Sequence, residues 1–161
     1  DLDPDAMRKI LDVNVVGTAL GIKHAFRAMR PEGAAGSGGA IVNIASVAAT
    51  IAFPGIAAYS ASKSAVERLT KVAAAESGRL GYGVRVNTVC PNAMGAQLAT
   101  DMERLGLFPS VDDAVGAVVS LTPSGRLATE DDIANGVAFL LSEESAFVNG
   151  VTLSIDGAMG M

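Results

Sequence analysis

Cysteine and histidine each occur once in these 161 residues, as Cys90 and His24. A single thiol excludes a disulfide scaffold and agrees with a reducing compartment. Any histidine-based metal centre or Ser-His-Asp triad would have to be built around His24 alone. Beside Lys23 and Arg27, that residue reads as an exposed helix position. Positive charge is short too: 12 Lys and Arg stand against 17 Asp and Glu, a net charge of −5. Nucleic-acid binding needs clustered positive charge to displace counterions, so no nucleic-acid partner is expected. No apolar run approaches the roughly 20 residues that span a bilayer, so no membrane partner is expected. Asp1-Leu2-Asp3-Pro4 is not the basic, then apolar start of a secretory signal. Neither Gly-x-Ser-x-Gly nor Gly-Lys-Ser/Thr occurs. What is present is apolar: 50% of the residues are hydrophobic, which excludes disorder. The length suits about one domain with a sizeable core. A soluble, cytoplasmic α/β domain without a metal is the expectation.

Asp3-Pro4 has the form of a helix cap followed by proline at the first helical position. Met7, Ile10, Leu11 and Asn14 fall on one face, and the helix runs to about Arg30 before Pro31 and Gly33. Residues 33–39 read as a mobile surface connection. Ala40–Ala45 is a short apolar run of the kind that fills a buried parallel sheet. Pro54-Gly55 marks a turn. A second helix starts near Ala57 or Tyr59, carries Val66, Leu69, Val72 and Ala73 inward, and ends by Gly78 or Gly81. Val84–Val89 is a second strand, and a helix is expected over Val111–Ser120. Thr129 with Asp132 three residues on is a capping arrangement that opens a helix through Ile133, Val137, Phe139 and Leu140. Val151–Ile155 is the last strand.

Strands separated by helices imply parallel pairing through right-handed crossovers. The fold class is therefore α/β, a Rossmann-like doubly wound parallel sheet. It is incomplete, with about three strands and their flanking helices. Nothing in Ala40–Ala45 protects an open edge, and no strand precedes the first helix. Both features suggest the second part of a larger domain.

Chemistry concentrates in Tyr59-Ser60-Ala61-Ser62-Lys63. Residues four apart on a helix share a face, one turn apart. An ammonium beside a phenol stabilises the phenolate and draws a tyrosine toward proton exchange near neutrality. Ser46 lies just past the carboxyl end of a strand, the edge where open parallel sheets bind ligands. A hydroxyl there can hydrogen-bond a carbonyl oxygen as charge develops on it. The plain alternatives are a solvated Tyr-Lys pair, a loop-capping Ser46 and a solvent-facing Asn14. Ser60-x-x-Lys63 also fits the acylated serine of penicillin-binding proteins, but the companion Ser-Asp-Asn and Lys-Thr-Gly patterns are absent. Cys90 reads as a small buried hydrophobe at a strand end.

Taken in order, Val13-Asn14-Val15-Val16-Gly17, Ile41–Ser46, Tyr59 with Lys63, Arg85-Val86-Asn87, Pro91 and Asp156-Gly157 resemble the short-chain dehydrogenases/reductases. The resemblance spans essentially the whole chain. It implies an oxidoreductase that moves hydride between NAD or NADP and a secondary alcohol or ketone. Tyr59 would be the general acid/base, and Lys63 would assist it and hold the nicotinamide ribose. Ser46 would hold the substrate oxygen. Asn14 would break the helix locally and carry a water in a proton relay with Lys63. The family also suggests a homotetramer, with the helices at 4–30 and 57–77 meeting partner copies.

Two departures qualify the carry-over. The glycine-rich turn between a strand and a helix that seats a pyrophosphate is absent; the stretch at 33–39 precedes a strand instead. The residues that choose NAD or NADP belong to the same missing half, so residues 1–161 read as the carboxyl-terminal catalytic part of one Rossmann-fold domain. The second departure follows Pro91, where the family's glycine and later threonine are Asn92 and Ala96. Asn92 is tolerated because asparagine accepts left-handed backbone angles. Cofactor contacts are assigned to Tyr59, Lys63, Pro91, Asn92, the Met94 backbone and Thr100 in place of Ala96. Residues 92–128 are expected to form a substrate lid. Its Met94, Met102, Leu105, Leu107 and Phe108 either line an apolar pocket or pack the lid onto the body. The competing reading of the whole is a non-catalytic half-domain that acts through subunit association.

Overall fold

The computed structural model describes residues 2–36, 38–92, 97–104 and 106–161. Asp3 caps the first helix, its carboxylate accepting from the Asp5 N–H at 2.9 Å. Helix α1 (Pro4–Leu11) passes without a break through a π turn at Asp12–Val16 into α2 (Gly17–Met29). The connection at 33–39 is fastened back onto that helix, with Ala35 N–H bonded to Ala28 O and Gly38 N–H to Met29 O. Strand β1 (Gly39–Ile44) leads through the Pro54-Gly55 turn to α3 (Ala57–Arg79) and then to β2 (Val84–Pro91). Helices α4 (Gln97–Arg104), α5 (Val111–Leu121) and α6 (Glu130–Leu141) precede β3 (Thr152–Ile155).

The strands pair in the order β1-β2-β3, all parallel. Gly39 stands opposite Val84 and Ile44 opposite Val89; on the other side Thr88 meets Thr152 and Pro91 meets Ile155. Strand β2 is central, and Val86, Asn87, Thr88 and Val89 have no exposed surface at all. One sheet face packs on α2 and α3 through Ile22, Ala73, Ala74 and Val84, where Phe26 and Tyr82 meet edge to face at 5.5 Å. The other face packs on α6 through Ile133, Leu140 and Val89. Helices on both faces of a parallel sheet make this a doubly wound fold. Strand β1 has no neighbour on its other side among the described residues.

Three expectations need correction. Val72 does not face inward: it is 47% exposed, because the buried stripe of α3 runs through Val66, Thr70, Ala73 and Ser77. Helix α4 falls in a stretch where the sequence marks no helix. Asn92 is not left-handed, since positive φ among the described non-glycine residues belongs to Glu32 and Ala158. The Thr129 cap is found as expected. Thr129 and Asp132 exchange side-chain-to-backbone hydrogen bonds, and the Arg126 guanidinium holds Asp132 well below the usual carboxylate range.

Polar side chains of the sheet and of α3 are fixed by hydrogen bonds that fit no hydrophobic pattern. Asn87 donates to Val148 O at 2.9 Å and accepts the Val151 N–H at 3.0 Å, aligning the segment that becomes β3. Ser77 donates to Val84 O and accepts the Val84 N–H, tying the end of α3 to the start of β2. Asn43 of β1 donates to Thr70 of α3 at 2.8 Å.

Candidate active site

The carboxyl ends of β1 and β2 open onto a cavity of about 320 Å³. Ser46, Tyr59, Lys63 and Pro91 all line it. Ser46 follows β1 in an extended conformation, and its Oγ accepts the Ala48 N–H at 3.2 Å, capping a short 3-10 turn at Val47–Ala49. A hydroxyl that accepts through a lone pair keeps its proton to donate. The loop-capping role and a role toward a ligand oxygen are therefore compatible in one residue.

Tyr59 stands on the first turn of α3, 37% exposed at the cavity mouth. Two serines fasten that turn to the strand end. Ser60 donates to Ala48 O at 2.5 Å, and Ser64 donates to Ala49 O at 3.1 Å. With its hydroxyl spent on the 3-10 turn, Ser60 gives no support to an acyl-serine reading. Lys63 reaches back over β1, Nζ donating to Ile44 O at 3.0 Å and lying 5.6 Å from the Tyr59 ring centroid. Burial pushes the Lys63 ammonium below its ordinary value, and the neighbouring Cys90 works against that shift.

Asn14 sits in the middle of the π turn. A π turn adds a residue to the helical repeat, and such turns recur at functional sites. The Asn14 carbonyl accepts from Thr18 Oγ1 at 2.7 Å, and its side-chain amide donates to Ser62 Oγ at 3.0 Å. Ser62, fully buried, donates in turn to the Tyr59 carbonyl at 2.7 Å. A continuous run of hydrogen bonds thus joins the π turn to the residue that carries the phenol. Ser60, Ser62 and Ser64 were legible only as polar residues on a helix. Their bonding roles depend on partners 12 to 48 residues away.

The residues assigned to cofactor contact do not all converge. Pro91 ends β2 at the cavity. Asn92 lines it too, but its amide donates to Thr122 Oγ1 at 2.8 Å and to Asp156 O at 3.0 Å, and the residue is 6% exposed. Asparagine at this position is a clasp between β2, α5 and the end of β3. Thr100 lies on α4, exposed and not among the residues lining the cavity. Met94 and Ala96 are outside the described residues. Of the apolar residues at 94–108, Met102 and Leu107 line the cavity, whereas Phe108 packs with Ala114 between α4 and α5. Leu105 is outside the described residues. Leu107 also closes on the turn at Gly55, where φ is +86° and a Cβ would sit 3.1 Å from Leu107 Cδ2. Sequence reasoning missed Ile51, Phe53 and Met159, which complete the apolar wall.

Cys90 is buried behind Lys63 and donates to Glu67 Oε1 at 3.1 Å. Burial pushes its thiol up to about 12, and the Glu67 carboxylate adds to the shift. The thiolate is the reactive form, so the native protein should resist a disulfide reagent at pH 8. Mass mapping of the Cys90 peptide should show it unmodified until denaturant is added; rapid labelling of native protein would refute its burial. Among the described residues, no three His, Cys, Asp or Glu side chains cluster as metal ligands would. No described helix is long and apolar enough to cross a membrane.

A family model described as enoyl-(acyl carrier protein) reductase matches residues 1–160. That match covers nearly every residue that forms the sheet and the cavity. The chain belongs to the short-chain dehydrogenase/reductase family. This short-chain dehydrogenase/reductase chain is 43% identical over 152 residues to a protein named inactive 2-(S)-hydroxypropyl-CoM dehydrogenase 2, from Xanthobacter autotrophicus. The alignment covers 94% of this chain and 62% of that relative. Zerumbone synthase of Zingiber zerumbet is 38% identical, with 100% of this chain and 59% of that protein aligned. A short-chain dehydrogenase/reductase structure from Mycobacterium ulcerans superposes with a TM-score of 0.84 at 34% identity, over 98% of this chain and 53% of that one. The chain therefore spans somewhat more than half the length of these relatives.

Proposed function

We propose that the full-length protein is an NAD- or NADP-dependent oxidoreductase that interconverts a secondary alcohol and a ketone. One observation carries the reading: Ser46, Tyr59 and Lys63 line a single cavity at the carboxyl ends of parallel strands. Family membership supports it. Tyr59 gives its phenolic proton to the carbonyl oxygen in reduction and takes it back in oxidation. The Lys63 ammonium, beside the ring, stabilises the phenolate form. Ser46, with its proton available, holds the same substrate oxygen. Asn14 fixes the π turn and, through Ser62, the seat of Tyr59; it is also the station for a relay water toward Lys63.

The residues present suit one end of a nicotinamide dinucleotide. Lys63 at the cavity and the backbone after Pro91 suit the nicotinamide ribose. Met94 is assigned to the same region, whereas Thr100 stands outside the cavity lining. The glycines at 33–39 are no phosphate cradle, because Gly39 pairs with Val84 at the end of the sheet opposite Ser46. When bound, the nicotinamide supplies the hydride donor or acceptor. Residues 92–128, with α4 and α5, act as the lid over the cavity, excluding water when closed. We place the protein in the cytoplasm as a homotetramer. Exposed Val13, Val16 and Leu20 on the first helix and Val72 on α3 suit contacts with partner copies.

A second reading, a non-catalytic chain acting by association, is favoured by the exposed Phe139, Leu141 and Phe147, apolar side chains open to a partner. The test is to supply the full-length protein with NAD⁺ or NADP⁺ and a panel of secondary alcohols. Saturable formation of reduced nicotinamide supports the oxidoreductase and identifies the cofactor. No turnover with either cofactor, together with no saturable quenching or enhancement of NADH fluorescence, puts association first.

A further inference from the structure

The segment after β3 folds back over the cavity and is built to stay there. The Asp156 carboxylate, 7% exposed, accepts the Ala158 N–H through Oδ1 and the Gly160 N–H through Oδ2, both at 3.0 Å. The Asp156 carbonyl accepts the Met159 N–H at 3.3 Å and the Asn92 amide at 3.0 Å. Ala158 is held at φ +70°, a region costly for a residue with a Cβ. Gly160 passes so close to the 3-10 turn that a Cβ would lie 3.0 Å from Thr50 Oγ1 and 2.8 Å from Asp156 Oδ2. This clip brings Met159 to the cavity lining, which it shares with Ile51, Phe53, Ile56 and Leu107.

We propose that Met159 is a specificity-determining wall, and that the cavity takes uncharged, apolar secondary alcohols and ketones while rejecting those with an anionic group. The inference rests on the oxidoreductase reading above. Lys63 is the one cation among the described lining residues, and the reading above engages it with the Tyr59 phenol and the nicotinamide ribose besides its bond to Ile44 O. The stretch from Ala93 to Asp101 contains no Lys, Arg or His that could serve instead. A carboxylate drawn into this wall loses its water and gains no partner, which is costly. The wall itself is adaptable, because methionine has three rotatable bonds and fits irregular shapes.

The test uses the full-length protein with its preferred nicotinamide and a matched pair of substrates, 1-phenylethanol and 4-(1-hydroxyethyl)benzoate. We expect kcat/KM to favour the uncharged alcohol by at least about 100-fold, the scale of leaving a buried polar group unpaired. Met159→Lys supplies a cation at the wall and should narrow that ratio to about tenfold or less. Met159→Ala should raise kcat/KM for 1-(2-naphthyl)ethanol relative to 1-phenylethanol by about tenfold, through added room. Preference for the benzoate by the wild type overturns the substrate class while leaving the oxidoreductase reading intact, since cofactor is still turned over. Ratios unmoved by both variants, with folding intact by circular dichroism, overturn the role of Met159. Turnover of neither alcohol, nor of acetophenone in reverse, overturns the oxidoreductase reading and this inference with it.

Discussion

Tyr59→Phe in the full-length protein should lower kcat by about a thousandfold or more, on the scale of losing a positioned general acid/base. Cofactor affinity should fall far less, by about threefold, because the phenolic oxygen is one of several assigned cofactor contacts and Lys63 stays in place. The Tyr59 hydroxyl has no hydrogen-bond partner among the described residues, whereas the Tyr59 carbonyl is held by Ser62. The ring stays beside Lys63 Nζ in the variant, so the seat of the residue is preserved. The change thus removes one transferable proton and little else. Steady-state rates with a secondary alcohol, paired with NADH fluorescence titration, separate the two quantities. Undiminished turnover would end the acid/base assignment. Loss of cofactor binding in parallel with rate would instead make Tyr59 chiefly a cofactor contact.

The second large effect concerns stability. Arg85, on the far half of β2 from the cavity, spreads its guanidinium over the end of α6. One nitrogen donates to Leu140 O at 2.8 Å, Ser145 Oγ at 3.0 Å and Val148 O at 3.5 Å; the other donates to Ser142 O at 3.0 Å. Carbonyls at a helix carboxyl terminus have no intrahelical partner and carry partial negative charge. A hydrogen bond to a charged group contributes about 1.5–3 kcal/mol, so Arg85→Ala should cost about 3 kcal/mol after solvent replaces part of the loss. Arg85→Lys should recover only a minor share, since one ammonium on a flexible stem cannot match the planar fork. Urea unfolding of the full-length protein measures both. A loss below about 1 kcal/mol for the alanine variant would show that water serves these carbonyls equally well. Arg85-Val86-Asn87 is then structural throughout: Arg85 caps α6, Val86 fills the core and Asn87 aligns β3.

Much of the arrangement was legible in the sequence because its signals are local. Asp3-Pro4 and Thr129 with Asp132 announce helix starts, and the apolar runs at Ala40–Ala45 and Val84–Val89 announce parallel strands, of which β2 is buried as expected and β1 is only half-buried. Ser46, Tyr59 and Lys63 could be brought together because a strand end and one helical turn fix their spacing. Asn14 was legible as a disturbance in a helix, and the π turn is that disturbance. What escaped was decided by distant partners. Helix α4 is a short helix of eight residues, set against α5 through Met102 and Ala114. Val72 is as apolar as Val66 but lies off the stripe facing the sheet, a distinction of rotation rather than composition. Asn92 was explained by backbone tolerance, whereas its amide joins residues 30 and 64 positions away. Met159 reaches the cavity only through the Asp156 clip, and no periodicity marks a clip.

Strand order in this sheet also bears on how the chain finds its fold. Pairing Ile44 with Val89 closes a loop of about 45 residues, and pairing Thr88 with Thr152 closes one of about 64. The entropic difference between those closures is only about 0.3 kcal/mol, because closure cost grows as the logarithm of length. Loop length therefore does little to decide which partner β2 acquires first. Helix α3 does more, since it shortens the first crossover to a near-rigid connector with a buried stripe of its own. Neither pairing forms before distant parts of the chain meet, which sets this topology among the slower folders of its size. Collapse of β1, α3 and β2 is the natural nucleus, with β3 joining once the turn held by Asn87 and capped by Arg85 has closed.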